Sequence, residues 1–393
     1  MCPIEQSATA EYMTSTLTTV PFVDLSLQHQ PIKLQIEQAI HSVLQRGDFI
    51  LGQAVTEFEQ AFASACGVQY GVGVACGTDA LALGMQACGI GAGDEILVPA
   101  NTFIATVIGI LRTGARPILV DCDPRTALID LEAADKAVTS KTKAIVPVHL
   151  YGQMVSPQGL LALAQAHNLM IFEDAAQAHL ASREGYQAGS IGTAAGFSLY
   201  PSKNLGGFGD GGILVTNDAE VNQHVRNLRN YGAPKKYVHT ELGTNSRLDT
   251  LQAAILNVKL PHLENWNRDR NNTAKQYDTL LSQAQEKGIL TMENQSGEGH
   301  VYHLYVIRVT SSCPIDRETL QAKLGEFGVQ AGIHYPIPCH LQPAYQYLGY
   351  QLGDFPQTEA LSQQILSLPM FPGMSQAQIH QVVNAVTMAV EVK

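Results

Sequence analysis

The sequence predicts an α/β protein, a three-layer α/β/α sandwich on a mostly parallel sheet, followed by a smaller C-terminal α+β domain. Three observations predict it. Short apolar runs between Tyr70 and Thr216 are separated by segments long enough for a helix, the alternation that joins parallel strands through crossover helices. These runs are apolar at successive positions rather than at every second one, so both faces of the sheet need a covering layer. After Asn245 a long helical stretch leads out of this rhythm into mixed strands and helices.

In chain order, residues 1–19 are polar and read as a loose tail. Ile32, Ile36, Ile40, Val43 and Leu44 recur at helical spacing, as do Val55, Phe58 and Phe62, which places two helices in an N-terminal arm. Strands are expected at 70–75, 96–99, 117–121, 144–150 and 169–174, each a short apolar run. Two more, 195–200 and 212–216, follow with only a glycine-rich connection between them, so the βα rhythm stops there. Leu248, Leu251, Ile255 and Val258 mark a helix expected to continue, bent, past Pro261, because proline removes a donor and crowds the preceding turn. A strand at 302–309, a helix at 316–327, a strand near 330–335 and a last helix at 376–390 then make the smaller unit. The expected division is a tail at 1–19, a large ligand-binding domain with its helical arm at 20–260, and a small C-terminal domain at 261–393.

Composition narrows the function. The chain has 393 residues, 45% hydrophobic and 15% charged, with Gly and Pro dispersed, an ordinary globular profile. A formal net charge of -11 argues against general affinity for nucleic acid, which is held by concentrated Lys and Arg. The seven cysteines, at 2, 66, 76, 88, 122, 313 and 339, form no CxxC pair and no zinc spacing with histidine; they read as reduced thiols, and no metal site is expected. The first residues lack the basic start and apolar run of a secretory signal. No run approaches the ~20 apolar residues that span a bilayer, since the apolar stretch from Phe103 to Leu111 is ended by Arg112. A cytoplasmic protein without membrane or nucleic-acid partners is expected.

Three segments carry chemistry. In 197–212, Lys203 stands alone between a strand end and five glycines, with Ser198 five residues before it. Glycines let backbone approach a ligand closely, and a shielded lysine can lose its proton near neutrality and attack an aldehyde. The Ser198 hydroxyl could serve a phosphate beside the same aldehyde. An exposed lysine on a flexible loop is the plainer reading of this segment alone. In 171–177, an apolar strand ends in Asp174, with Gln177 one turn on. A carboxylate at that edge of an α/β sheet could keep a pyridine nitrogen protonated, or merely cap the next helix. In 71–81, a strand runs into Gly77-Thr78-Asp79, a helix start whose bare N–H groups suit a phosphate. After the next strand, Phe103 could stack on a planar ring or simply fill the core. A phosphate seat, a stacking face, an acid and an amine at consecutive sheet ends together select pyridoxal phosphate.

These motifs make the chain resemble the DegT/DnrJ/EryC1/StrS family of sugar aminotransferases, within the fold-type I pyridoxal-phosphate enzymes. The resemblance runs in order through Pro21-Phe22-Val23-Asp24-Leu25, Gly77-Thr78-Asp79-Ala80-Leu81, Glu173-Asp174-Ala175-Ala176-Gln177, Ser202-Lys203-Asn204-Leu205, Asn245-Ser246-Arg247-Leu248-Asp249, His334-Tyr335-Pro336 and Leu368-Pro369. It implies that Lys203 carries the cofactor as a Schiff base, that Asp174 partners the pyridinium nitrogen, that Gln177 contacts the ring hydroxyl and that Phe103 lies against the ring. Gly77, Thr78, Asp79 and Ser198 would hold the phosphate. Asn245 would reach the phosphate in the neighbouring subunit, which implies a homodimer with shared active sites. Arg247, His334 and Tyr335 match positions near the substrate mouth, where a packing or surface role is equally open. Two features depart from many relatives: the glycine-rich run 206–212, and Leu180 where a glycine commonly follows the histidine.

The reaction implied is amino transfer from L-glutamate to a nucleotide-linked keto-sugar, 3-keto slightly favoured over 4-keto. Three alternatives compete with it. Sugar dehydratases of the family carry a histidine where this chain has Lys203. A non-catalytic pyridoxal-phosphate-binding regulator is allowed by the fold, although no DNA-binding helix pair or basic stripe is visible. A nicotinamide dehydrogenase would need a different spacing, since Gly77 follows Gly73 by four residues rather than three.

Overall fold

The computed structural model describes residues 19–391; the expected tail lies outside the described residues except for Thr19. The large sheet has seven strands: β1 (Tyr70–Val74), β2 (Glu95–Pro99), β3 (Arg116–Val120), β4 (Thr142–Ile145), β5 (Met170–Asp174), β8 (Ala194–Ser198) and β9 (Gly212–Thr216), in the order β1-β9-β8-β5-β4-β2-β3. Between β5 and β8 lies a short separate hairpin, β6 (Ser182–Arg183) and β7 (Tyr186–Gln187). Only β9 runs against its neighbours β1 and β8, so the sheet is mostly parallel, as expected.

Successive residues on a strand point to opposite faces, and both faces are packed. Ile96 and Val98 of β2 join the core built with the helices Gly77–Ala87 and Ile104–Arg112. Leu97 between them joins the other core, with Phe58 and Phe62 of the helix Gln53–Ala65 and Leu160 of the helix Pro157–His167. This is the physical content of an apolar run without alternation: each strand feeds two cores, and the three layers follow.

The expected strand at 144–150 is shorter. Its ladder ends at Ile145, because Pro147 has no N–H to give; one further bridge joins Val148 to Asp174, and Leu150–Gly152 turns as a 3-10 helix. The helix after Asn245 bends as expected: Thr250–Lys259 passes through the 3-10 turn Leu260–His262 into Leu263–Leu280. The C-terminal part forms a second sheet from β10 (Ile289–Thr291), β11 (Tyr305–Val309) and β12 (Ile365–Leu368), packed under the helices Arg317–Glu326 and Gln376–Glu391. The strand expected near 330–335 does not form. That segment makes only single bridges, Val329 to Val20 and Gly332 to Ser367, before entering the site described below at His334 and Tyr335. Among the described residues, no helix is long and apolar enough to cross a membrane.

Candidate active site

The C-terminal ends of the parallel strands share one edge of the sheet, and a cavity of about 350 Å³ opens there. The β8–β9 turn places the lysine. Ser198 pairs with Gly212 in the register, so 199–211 is a closed loop, held by Leu199 N–H to Gly211 O (2.8 Å), Gly207 N–H to Leu199 O (2.8 Å) and Lys203 N–H to Tyr200 O (2.9 Å). Gly212 is obligatory, because a Cβ there would lie 2.3 Å from the Cys76 carbonyl oxygen. The loop is thereby pressed against the start of the helix Gly77–Ala87, and Lys203 lines the cavity.

Opposite stands Asp174, the last residue of β5 and 4% exposed. Its carboxylate accepts the Thr106 hydroxyl at 2.7 Å and the Ala176 N–H at 3.1 Å. Burial raises its pKa from the ordinary carboxylate value, opposed by those two donors and by the charges of Lys203 and His149. Burial moves the Lys203 amine the other way, down to about 8, with Asp174 opposing. The two shifts share one cause, since removing water disfavours either charge. Three histidines near the lysine are held neutral by burial and its charge: His334 lowered to about 4, His179 to about 3 and His303 well below its usual value.

The remaining wall is aromatic and amide. Phe103 and Tyr335 lie 5.3 Å apart at 35°. Gln177 accepts the Tyr151 N–H (2.6 Å) and donates to the Tyr335 hydroxyl (3.1 Å), while the Tyr151 hydroxyl donates to His334 O (2.6 Å). His334 also contacts the Ser367 hydroxyl (2.9 Å) and stacks on Phe22 at 5.5 Å. On the far side, a Cβ on Gly77 would sit 2.8 Å from the Ser198 Cβ, and the N-cap Cys76 makes no side-chain cap hydrogen bond. Helix start and serine therefore form one tight cradle of the kind that binds phosphate.

Of the residues singled out in the sequence, Gly77, Thr78, Phe103, Asp174, Gln177, Ser198, Lys203, His334 and Tyr335 all line this cavity. Three do not. The Asp79 carboxylate is engaged by Arg112 (2.5 Å) and Ser246 (2.6 Å), which leaves only its backbone to face a ligand. Asn245 is exposed, its backbone bridged to Asn230; Arg247 donates to the Asn230 side chain (3.0 Å) and lies over the Tyr231 ring. Sequence reasoning missed Thr102, Thr106 and His303. Thr106 sits in an apolar helical run and Thr102 in the turn just before it, while His303 comes from a segment read only as strand. Among the described residues, no group of His, Cys, Asp or Glu could hold a metal ion.

The model of the DegT/DnrJ/EryC1/StrS aminotransferase family matches residues 30–387. The chain belongs to this family. It is 45% identical over 367 residues to the dTDP-3-amino-3,6-dideoxy-alpha-D-galactopyranose transaminase of Aneurinibacillus thermoaerophilus, covering 93% of this chain and 98% of that one. It is 44% identical to a "pleiotropic regulatory protein" of Geobacillus stearothermophilus, with 93% and 97% covered. Among solved structures it is similar to S. venezuelae DesV in complex with a ketimine intermediate, at 40% identity and a TM-score of 0.91, covering 96% of this chain and 100% of that one. The expected fold-type I architecture is thus borne out. DegT-family aminotransferases use pyridoxal phosphate, and the cradle, carboxylate and amine of this cavity fit that cofactor.

Proposed function

We propose that this DegT-family member is a cytoplasmic, homodimeric aminotransferase that moves an amino group from L-glutamate to a nucleotide-linked keto-sugar, with a slight preference for a 3-keto position. The observation that carries the reading is the shared cavity of Lys203 and Asp174, one amine of lowered pKa and one buried carboxylate, beside an uncapped helix start. The relatives named as 3-amino-sugar transaminases support the substrate class.

Pyridoxal phosphate, when bound, supplies an electron-accepting ring through which an amino group is taken from a donor and given to a ketone. The protein's part follows from its residues. Backbone N–H groups at Thr78 and Asp79, with the Ser198 hydroxyl, would hold the phosphate. Asp174 would keep a proton on the ring nitrogen, because a carboxylate out of water favours a neighbouring cation strongly. Phe103 would pack on the ring and, with Tyr335, would exclude water from one side. Lys203 would hold the cofactor at Nζ and, as an amine whose burial lowers its pKa, could accept and return a proton there near neutral pH. His334 and Tyr335 stand where the sugar would enter, and Asn245 would complete the phosphate seat of a second subunit.

The test is twofold. Borohydride treatment of the holoprotein should fix the label on Lys203, and the amine form offered a panel of nucleotide keto-sugars should return a product with one amino group in place of a ketone, read by mass. A label on another side chain would overturn the site. A second reading is kept because of the regulatory relative: a pyridoxal-phosphate-binding regulator would leave the absorbance unchanged on addition of glutamate, whereas the aminotransferase converts to the amine form.

A further inference from the structure

Asp174 is held more elaborately than a helix cap requires. Its Oδ1 accepts the Ala176 N–H and its Oδ2 accepts the Thr106 hydroxyl. Two donors leave part of the carboxylate free for a third from the cavity. Thr106 is 0% exposed and its side chain has three polar neighbours: Asp174 Oδ2 at 2.7 Å, Thr102 Oγ1 at 2.8 Å and Phe103 O at 3.1 Å. It has one hydrogen to give. The Phe103 carbonyl already accepts the Thr106 backbone N–H at 3.1 Å, and a carboxylate is the stronger acceptor. The hydrogen therefore points to Asp174, and Thr102 donates into the Thr106 oxygen. Valine has the same shape and would suit this apolar helix, so the hydroxyl itself needs a reason.

We propose that Thr106, backed by Thr102, is a positioning residue that holds the Asp174 carboxylate in its ionised form and in one orientation towards the ligand. This rests on reading Asp174 as the partner of a pyridinium nitrogen. The other groups that face the carboxylate are the Lys203 amine, the His149 imidazole and the Tyr335 hydroxyl. Lys203 ceases to be a free ammonium once it binds an aldehyde. The hydroxyl chain remains, a neutral donor that works whatever the state of the lysine.

The test uses pyridoxal phosphate as probe and the full-length protein stripped of cofactor. Its dissociation constant is measured from pH 5.5 to 8.5, by absorbance, for wild type, Thr106→Val, Thr106→Ser and Thr102→Val. A carboxyl that has lost a donor to its charged form ionises at higher pH. Thr106→Val should therefore weaken binding about tenfold near pH 6, the loss of one hydrogen bond to a charged group, and move the acid limb of the curve upward. Thr106→Ser should restore both to within about twofold, because it returns the same donor. Thr102→Val should move the limb in the same direction by less, and it carries the test if Thr106→Val does not fold. A Thr106→Val curve lying on the wild-type one, or lowered equally at every pH without rescue by serine, overturns the inference. Borohydride separates the two failures: an unlabelled Lys203 in wild type sinks the reading of the site and this inference with it, whereas a labelled Lys203 with an unmoved curve sinks the inference alone.

Discussion

Lys203 belongs to the glycine-rich loop 199–211 and Lys259 reaches that loop at the Gly206 carbonyl, and burial pushes both amines from the ordinary lysine value down to about 8. Lys203 lines the cavity and faces Asp174. Lys259, 1% exposed, donates to the Gly206 carbonyl, contacts His29 Nε2 at 3.2 Å and lies 5.8 and 5.9 Å from the Phe208 and Trp266 rings; among the described residues it has no carboxylate partner within ion-pair distance. A depressed pKa is thus common to the amine proposed to react and to one that lines no part of this cavity. What separates them is space for a ligand and an acid across it.

The largest effect expected of that difference is on labelling. Lys203→Ala should abolish the borohydride-fixed label and lower multiple-turnover transamination by at least about a thousandfold, since the covalent anchor and the proton carrier leave together. Retained turnover would break the comparison outright. Asp174→Asn should lower kcat by roughly a hundredfold while KM for the sugar changes little, as expected for a group acting on charge during the reaction. It should also lower the Lys203 pKa further, because the carboxylate is what raises it. A third outcome sharpens the contrast: the rate at which the apo-protein takes up pyridoxal phosphate should rise with pH through about 8, because only the neutral amine attacks an aldehyde. In Asp174→Asn that rise should come at lower pH, measured by stopped-flow absorbance.

The same contrast bears on what could be read from the chain itself. The sheet was legible because its strands are apolar on both faces, and Gly212–Thr216 coincides with its expected bounds. Lys203, Asp174 and Ser198 each had a plainer structural reading alone, and only their conjunction at consecutive sheet ends pointed to one cavity, which all three line. Lys259 was not singled out, since it stands at the end of a helix where lysine is unremarkable; only the fold shows that it turns inward. Thr106 was hidden for the opposite reason, being one hydroxyl in an apolar helix. The missing strand at 330–335 had the right residues, but strand formation depends on a neighbour's backbone, and that segment meets its neighbours one residue at a time.

The smallest effect is expected at Lys259. Replacing it with methionine removes a desolvated cation, which favours folding. It also leaves the Gly206 carbonyl without this donor, a cost of about 1–3 kcal/mol for a buried group, and forfeits the contacts with the two rings, worth about 0.5–2 kcal/mol. Methionine fills similar volume with a flexible chain, so the terms largely oppose and Lys259→Met should lose on the order of 1 kcal/mol of stability, read as a modest fall in melting temperature. The pH dependence of pyridoxal phosphate uptake should keep its rise through about 8, and borohydride should still label Lys203. If instead that rise vanished with Lys259, the amine titrating near 8 would be the one behind the loop, and the geometry that distinguishes the two lysines would have been read the wrong way round.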